Sequence, residues 1–350
     1  MPNIVMLDGS YVLHRSIHSP AYSRFTTASG FPTGGVYGFL ATLRRLEREH
    51  QAVVLVAWEG GGSALKRAAF PAYKASRAVV HPPGAPRPVD PTRFAEQQDL
   101  VRVALDLLGV PSAHAPGYEA DDVLATWARA VHDVPGAVGL IYSTDHDLWQ
   151  CVSPRVRVLN YRPGGQGRSG GDEVVDEARV AADYGSVAGV VWEKVLRGDA
   201  SDCVPPVQFA RASGQGRGPL PPRAVRHLVA QRPRDVEDLL RLASPDGAAR
   251  SSSPDSGRDA LGKFLLDPAA CEDVRRNHRL VKLRDDAPVE YSRAPRAVSF
   301  SGDWCPQAPD LPALFALLEF RKFAAELPQW EAIRDRALAA PLPGSSPWPR

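Results

Sequence analysis

The chain has 350 residues, 44% hydrophobic and 23% charged, enough to bury a sizeable core in one large domain or two smaller ones. A formal net charge of +2 excludes any function that needs a strongly charged whole, so nucleic-acid or membrane binding would require local segregation of charge. No stretch approaches roughly eighteen apolar residues in a row, Met1 leads straight into "NIVMLDG", and Cys151, Cys203, Cys271 and Cys305 form no CxxC pair. A cytoplasmic protein with reduced thiols and no membrane partner is expected.

In chain order, Ile4–Leu7, Val53–Ala57 and Val138–Tyr142 are short apolar runs rich in β-branched residues, the pattern of strands buried on both faces. Between them, helices are predicted over Val36–His50, with Phe39, Leu40, Leu43 and Leu46 on one stripe, over Phe94–Leu108 and over Asp121–Val131. Alternation of strand and helix predicts an α/β fold with a parallel-type central sheet flanked by helices. Past about residue 175 the strand signal fades, and helical segments follow at Val190–Leu196, Ala224–Ala230 and Val236–Leu242. Clusters of Pro and Gly at 81–91, 162–171, 213–222 and 244–257 mark loops, and 341–350 is a Pro-rich tail.

The carboxylates fall where strands end. Asp8 closes "IVMLD", Glu59 closes "VVLVAWE", and Asp145 and Asp147 follow "VGLIYSTDHD". Glu119, Asp121 and Asp122 open the helix in "GYEADDVLA", where the helix dipole favours acids, and Asp199 and Asp202 are spaced i, i+3 in "RGDASDCVP". Any one of these reads equally well as a cap or a turn residue. Together they converge on the edge where open parallel sheets bind ligands, and the motifs contain no matching cations. Acids gathered without partners repel one another and raise their own pKa values, and divalent cations relieve this. All-oxygen ligands favour Mg²⁺ or Mn²⁺ over Zn²⁺, and two or more ions would suit phosphodiester hydrolysis.

The stretch from Ser63 to Phe94 carries Lys66, Arg67, Lys74, Arg77, Arg87 and Arg93 against the single acid Asp90, with Phe70 and Tyr73 interleaved. Cations for phosphates and rings for bases suit a single-stranded nucleic acid; a solvated basic loop packed over Phe70 and Tyr73 is the plainer reading. Arg211, Arg217, Arg223 and Arg226 further on would suit phosphates along a duplex.

These residues match a family pattern. "IVMLDGSYVLHRSIH", "GGVYGFLATL", "VVLVAWEG", "FPAYKASR", "LLGVPSAHAPGYEADDVLA", "YSTDHDLWQCV" and "LRGDASDCVP" stand in the order seen in 5′ nucleases. Over about residues 1–205 the chain resembles bacteriophage RNase H and 5′ exonucleases, the 5′ nuclease domain of bacterial DNA polymerase I, and flap endonucleases. The resemblance implies a PIN-like core over 1–175 with a basic arch at about 62–93, and a helical DNA-binding part over 176–340 with a divergent helix-three-turn-helix-like module. It implies a first metal cluster of Asp8, Glu59, Glu119 and Asp121 with Asp122 beside it, bridging acids Asp145 and Asp147, and outer ligands Asp199 and Asp202. Lys74 and Arg77 match arch cations, Lys66 or Arg67 the cation that meets the scissile phosphate, and Arg15 a basic position of the first motif.

Two departures stand out. Glu59 occupies a position where most relatives have Asp, and the glycine-rich turn after the last acids is replaced by "PPVQFARASGQGRGPLPPRAV", which suggests the phage-type branch. The expected activity is Mg²⁺-dependent 5′–3′ exonuclease and flap endonuclease cleavage of DNA or RNA–DNA hybrids. The expected setting is replication, with replication proteins as partners and a free-standing monomer in a bacterial or phage-infected cytoplasm. Two other readings share the acids: a PIN-type ribonuclease for single-stranded RNA, and an inactive flap- or junction-binding protein.

Overall fold

Along β1 (Asn3–Asp8) and β2 (Ala52–Ala57) nearly every side chain is buried, and alternate residues feed two different cores. Val5, Leu7, Val54 and Val56 face one layer of helices, while Ile4, Met6, Val53 and Leu55 face the other, as the period of two in a strand requires. The computed structural model describes residues 3–75, 91–162, 170–244, 256–292 and 310–339.

These two strands sit at the centre of a seven-stranded sheet. Beside them run β3 (Ser112–His114), β4 (Val138–Tyr142), β5 (Val156–Arg162) and β6 (Gly171–Val175), and β10 (Glu290–Ser292) completes the far edge. The order is β10-β3-β2-β1-β4-β5-β6, with the middle five strands parallel and the two edge strands antiparallel. The order reverses between β1 and β4, so a crevice opens there at the carboxyl ends.

The first face is covered by α1 (Gly9–Ile17), α2 (Gly34–His50) and α4 (Pro91–Leu107); a short α3 (Ala64–Ala69) follows β2. The second face carries α5 (Ala120–Ala130), α6 (Glu177–Tyr184) and the start of α7 (Val187–Arg197). A third core lies beyond the sheet. It joins α7 to α8 (Pro222–Ala230), α9 (Val236–Ala243), α10 (Ser256–Leu261) and α11 (Pro268–Val281).

The strand signal that fades after residue 175 in the sequence does not end in the fold. β7 (Phe209–Arg211) and β8 (Arg217–Gly218), which follow α7 where the glycine-rich turn was missing, pair with β9 (Phe264–Leu265) in a small antiparallel sheet. Strands of two or three residues are too short to leave an alternating pattern. Residues 310–339 return to the first core as α12 (Leu311–Leu317), α13 (Arg321–Ala325) and α14 (Leu327–Ala339), burying Phe315, Phe320, Phe323 and Trp330. The tail 341–350 and most of the loop at 244–257 lie outside the described residues. Among the described residues no helix is long and apolar enough to cross a membrane. Cys151 and Cys271 are free thiols.

Asn277 on α11 ties the third core together. It is fully buried, and its Nδ2 donates to the carbonyls of Val195 (2.9 Å) and Pro205 (2.7 Å), holding the end of α7 and the loop after it. Asn277→Ala would leave both carbonyls unpaired in the interior, so a loss of about 2 kcal/mol of stability is expected in urea unfolding. An unchanged midpoint would show that water replaces the amide without cost.

Candidate metal centre

Each acid is placed by an element end. Asp8, the last residue of β1, caps α1 by accepting from the Tyr11 amide at 2.9 Å, and Ser143 Oγ lies 3.3 Å from its other oxygen. Asp145 caps the 3-10 turn His146–Cys151, accepting from the Asp147 amide at 2.8 Å. Glu59 follows β2 by two residues, and the Ala120 amide at the start of α5 donates to it at 3.3 Å. Its loop is fixed by Gly60, where a Cβ would stand 1.8 Å from the Ala115 carbonyl oxygen. The Gly117 amide donates to the Gly60 carbonyl at 2.6 Å, so the loops carrying Glu59 and Glu119 are clipped together.

Crowding shows in the electrostatics. Burial, with Asp145 adding to it, pushes the Asp8 carboxyl up to about 6. Withdrawal from water, then repulsion from Glu119 and Asp8, pushes Glu59 up to about 7. Asp121 is raised well above its ordinary range by burial and by Asp145, Asp8, Glu119 and Glu59. Among the described residues no ion pair reaches Asp8, Glu59, Asp121 or Asp145. Glu119 differs: although burial would raise it, Lys66 (2.7 Å) and Lys74 hold it down at about 2.

Asp147, Asp199 and Asp202 form a second group whose ligand oxygens lie within 4.8 Å of one another. Lys194 on α7 bridges Asp147 and Asp199, at 2.8 Å from the latter. Gly198, at φ +74°, opens this loop; a Cβ would meet the Val204 carbonyl oxygen at 2.4 Å. Tyr73 joins the two groups, its hydroxyl 2.9 Å from Asp202 and 3.3 Å from Glu119, and the Lys74 amide donates to the Asp202 carbonyl at 2.9 Å.

The expectation that the acids lack matching cations is therefore corrected at the rim: Lys66, Lys74 and Lys194 are drawn in from other segments. Lys194 gave no sequence signal, because Asp147 is 47 residues away. Asp122 points elsewhere than its neighbours. One oxygen accepts from the Glu119 amide (3.2 Å) and the other from the Arg284 amide (2.9 Å), closing the start of α5.

The candidate nucleic-acid contacts divide. Tyr73 is 2% exposed and Phe70 packs against the third core with Arg276 over its ring, so neither offers an open face for stacking. Arg15 sits in a cage of Tyr11, Tyr142 and Tyr161 and donates to the Tyr142 hydroxyl at 2.7 Å. Arg217 is held by Asp267 and the Gln208 carbonyl, bracing the small sheet. Arg67, Arg211 and Arg223 are exposed, and Arg77 lies outside the described residues.

An α/β sheet whose switch point gathers carboxylates from three strand ends and a helix start is the fold of the 5′ nucleases. The chain belongs to the 5′–3′ exonuclease family. The family model for the 5′–3′ exonuclease N-terminal, resolvase-like domain matches residues 3–185. A 5′–3′ exonuclease of Aquifex aeolicus is 32% identical over 296 residues, covering 83% of this chain and 85% of that protein. DNA polymerase I of Thermus aquaticus is 29% identical over 349 residues, 99% of this chain; the chain spans 34% of that polymerase's length. In structure, the bacteriophage T5 D15 protein co-crystallised with metal ions aligns with a TM-score of 0.54 at 16% identity, over 96% of this chain and 98% of that one.

The raised acids fix a pH test in chelator. Asp8 has its folded pKa above its unfolded value of 3.8, so it costs nothing below about pH 4 and destabilises increasingly as pH rises through about 6. Asp8→Asn should match the wild type in urea unfolding at pH 4 and exceed it at pH 7.5 by on the order of 2 kcal/mol. A constant difference across that range would remove the strain assigned to Asp8.

Proposed function

We propose that the chain hydrolyses phosphodiester bonds of DNA, or of RNA paired with DNA, near 5′ ends and flap junctions, using two or more Mg²⁺ ions for which Mn²⁺ can substitute. The observation that carries this reading is the pairing pattern of the acids. Those at the rim have lysines, while among the described residues no ion pair reaches Asp8, Glu59, Asp121 or Asp145. Kinship with 5′–3′ exonucleases supports the substrate class.

The donor set fits such ions, being all carboxylate oxygen. We assign Asp8, Glu59, Glu119, Asp121 and Asp145 to one centre and Asp147, Asp199 and Asp202 to the other, with Asp122 holding the helix start. Bound ions supply an activated water and charge to offset that developing on the phosphoryl oxygens. The chain's own residues do the placing. Lys66 and Lys74 keep Glu119 ionised and are the cations beside the acids that a scissile phosphate would meet. Residues 187–281, with exposed Arg211, Arg223 and Arg226, suit the phosphates of a duplex, and 310–339 support the core. A monomeric, cytoplasmic enzyme of replication, removing primers or flaps among replication proteins, is the setting this reading suits.

The test is a cleavage panel of a 5′-flap duplex, an RNA–DNA hybrid and single-stranded RNA, run with Mg²⁺, Mn²⁺ and chelator. Cutting of the first two with either metal and none in chelator is expected; preference for single-stranded RNA would favour the PIN-type ribonuclease. Asp121→Ala and Asp145→Ala should each lower the rate by more than about 100-fold while flap binding persists. Wild-type rates in both variants would overturn the metal assignment, and a wild type that binds flaps without cutting would favour the inactive binding protein. Lys66→Ala with Lys74→Ala should slow cutting and flatten its salt dependence; an unchanged salt slope would remove these lysines from the substrate path.

A further inference from the structure

Glu119 and Lys66 also border a cavity of about 300 Å³ between α3 and the end of α11. One wall is apolar, formed by Leu65, Ala69, Tyr118 and Leu280. Leu65 is 52% exposed and overlies Gly117, whose missing Cβ leaves the approach open. The opposite rim carries Arg279 and Lys282, both exposed. Among the described residues neither has an acid within ion-pair distance, whereas Arg284 beside them is held by Asp286 at 2.9 Å. Lys282 lines two adjoining cavities as well, of about 240 and 270 Å³, to which Arg129 and Arg234 contribute. Lys282 is thus common to three cavities around the end of α11, with Asp122 also lining the first and Asp285 the second.

We infer that this cavity is a subsite for one nucleotide of a single DNA strand, which runs on past Lys282. The strand's base lies against Leu65 and Tyr118, and its phosphates are met by Arg279 and Lys282. Apolar walls accept any base, and unpaired cations meet successive phosphates, so the subsite is indifferent to sequence. The identity of the ligand rests on the nuclease reading. The site itself rests on residues that have no place among the acids.

The experiment measures fluorescence anisotropy of a labelled oligothymidylate of about twelve nucleotides and of a blunt duplex, in chelator, across a salt series. Arg279→Ala with Lys282→Ala should weaken oligothymidylate binding about tenfold and lower its salt slope by about 1.4, with duplex binding unchanged. Leu65→Asp should weaken it at least fivefold, and Arg284→Ala should leave it alone. Wild-type affinity in the double variant would overturn the subsite. Equal losses on strand and duplex would do the same, making both residues ordinary duplex contacts or partners of the helix end. The nuclease reading falls separately: a wild type that cuts nothing with Mg²⁺ or Mn²⁺, yet binds the strand through Arg279 and Lys282, would keep the subsite and lose the enzyme.

Discussion

Repulsion among carboxylates at the switch point of the sheet is the constraint around which the other elements are arranged. Strand direction alone brings Asp8 and Asp145 to one edge, and the clip between Gly60 and Gly117 brings Glu59 against the start of α5. The resulting negative charge is lowered in two ways. At the rim, Lys66, Lys74 and Lys194 form ion pairs with nearly buried side chains, where a pair is worth more than at an open surface. At the centre, among the described residues, no ion pair forms, and Asp8, Glu59 and Asp121 shift towards their protonated forms instead. A protein that needed these acids only for folding would gain by replacing them.

The same ion pairs determine how the segment after β2 is held. Lys66 and Lys74 reach Glu119 from either side of Tyr73, over whose ring both ammonium groups lie, at 5.5 and 5.2 Å from the centroid. Tyr73 and the Lys74 backbone then reach across to Asp202. Lys74 accepts a left-handed backbone at φ +54° to do so. A few residues thus join the acids on the sheet to the acids on the helical part, and any ion that draws on Glu119 competes with two ammonium groups already there.

Local pattern made part of this legible in the sequence. β1, β2 and β4 were visible because both faces of each are buried, and Asp8 and Asp145 because an acid at the end of such a strand has few positions to occupy. What could not be read depends on distance along the chain. Lys194 meets Asp147 across 47 residues, Tyr73 meets Asp202 across 129, and β10 joins β3 through three residues of no clear alternation. The basic, aromatic-containing stretch after β2 read as a substrate contact. Folding turned its rings inward, because Tyr73 has acids within reach of its hydroxyl and a core for its ring. Asp122, which the sequence sets beside its cluster, accepts a backbone amide on each oxygen, and its link to Arg284 spans 162 residues, too far for any local pattern to signal.

The last described helices show how far from the acids their placement is secured. Phe323 stacks on Tyr37 of α2 at 4.3 Å with an interplanar angle of 5°, and Arg44 of the same helix covers both Phe323 and Trp330 while pairing with Glu326. α2 in turn packs along α1, where Gly38 lets the two helices close; a Cβ there would meet Ser16 at 2.8 Å. The first turn of α1 is the turn that Asp8 caps. A continuous run of packing thus leads from the aromatic residues near 320 through α2 and α1 to the turn that Asp8 caps. An acid whose charge is disfavoured where it stands needs such support, since solvent would otherwise draw it out of the crevice.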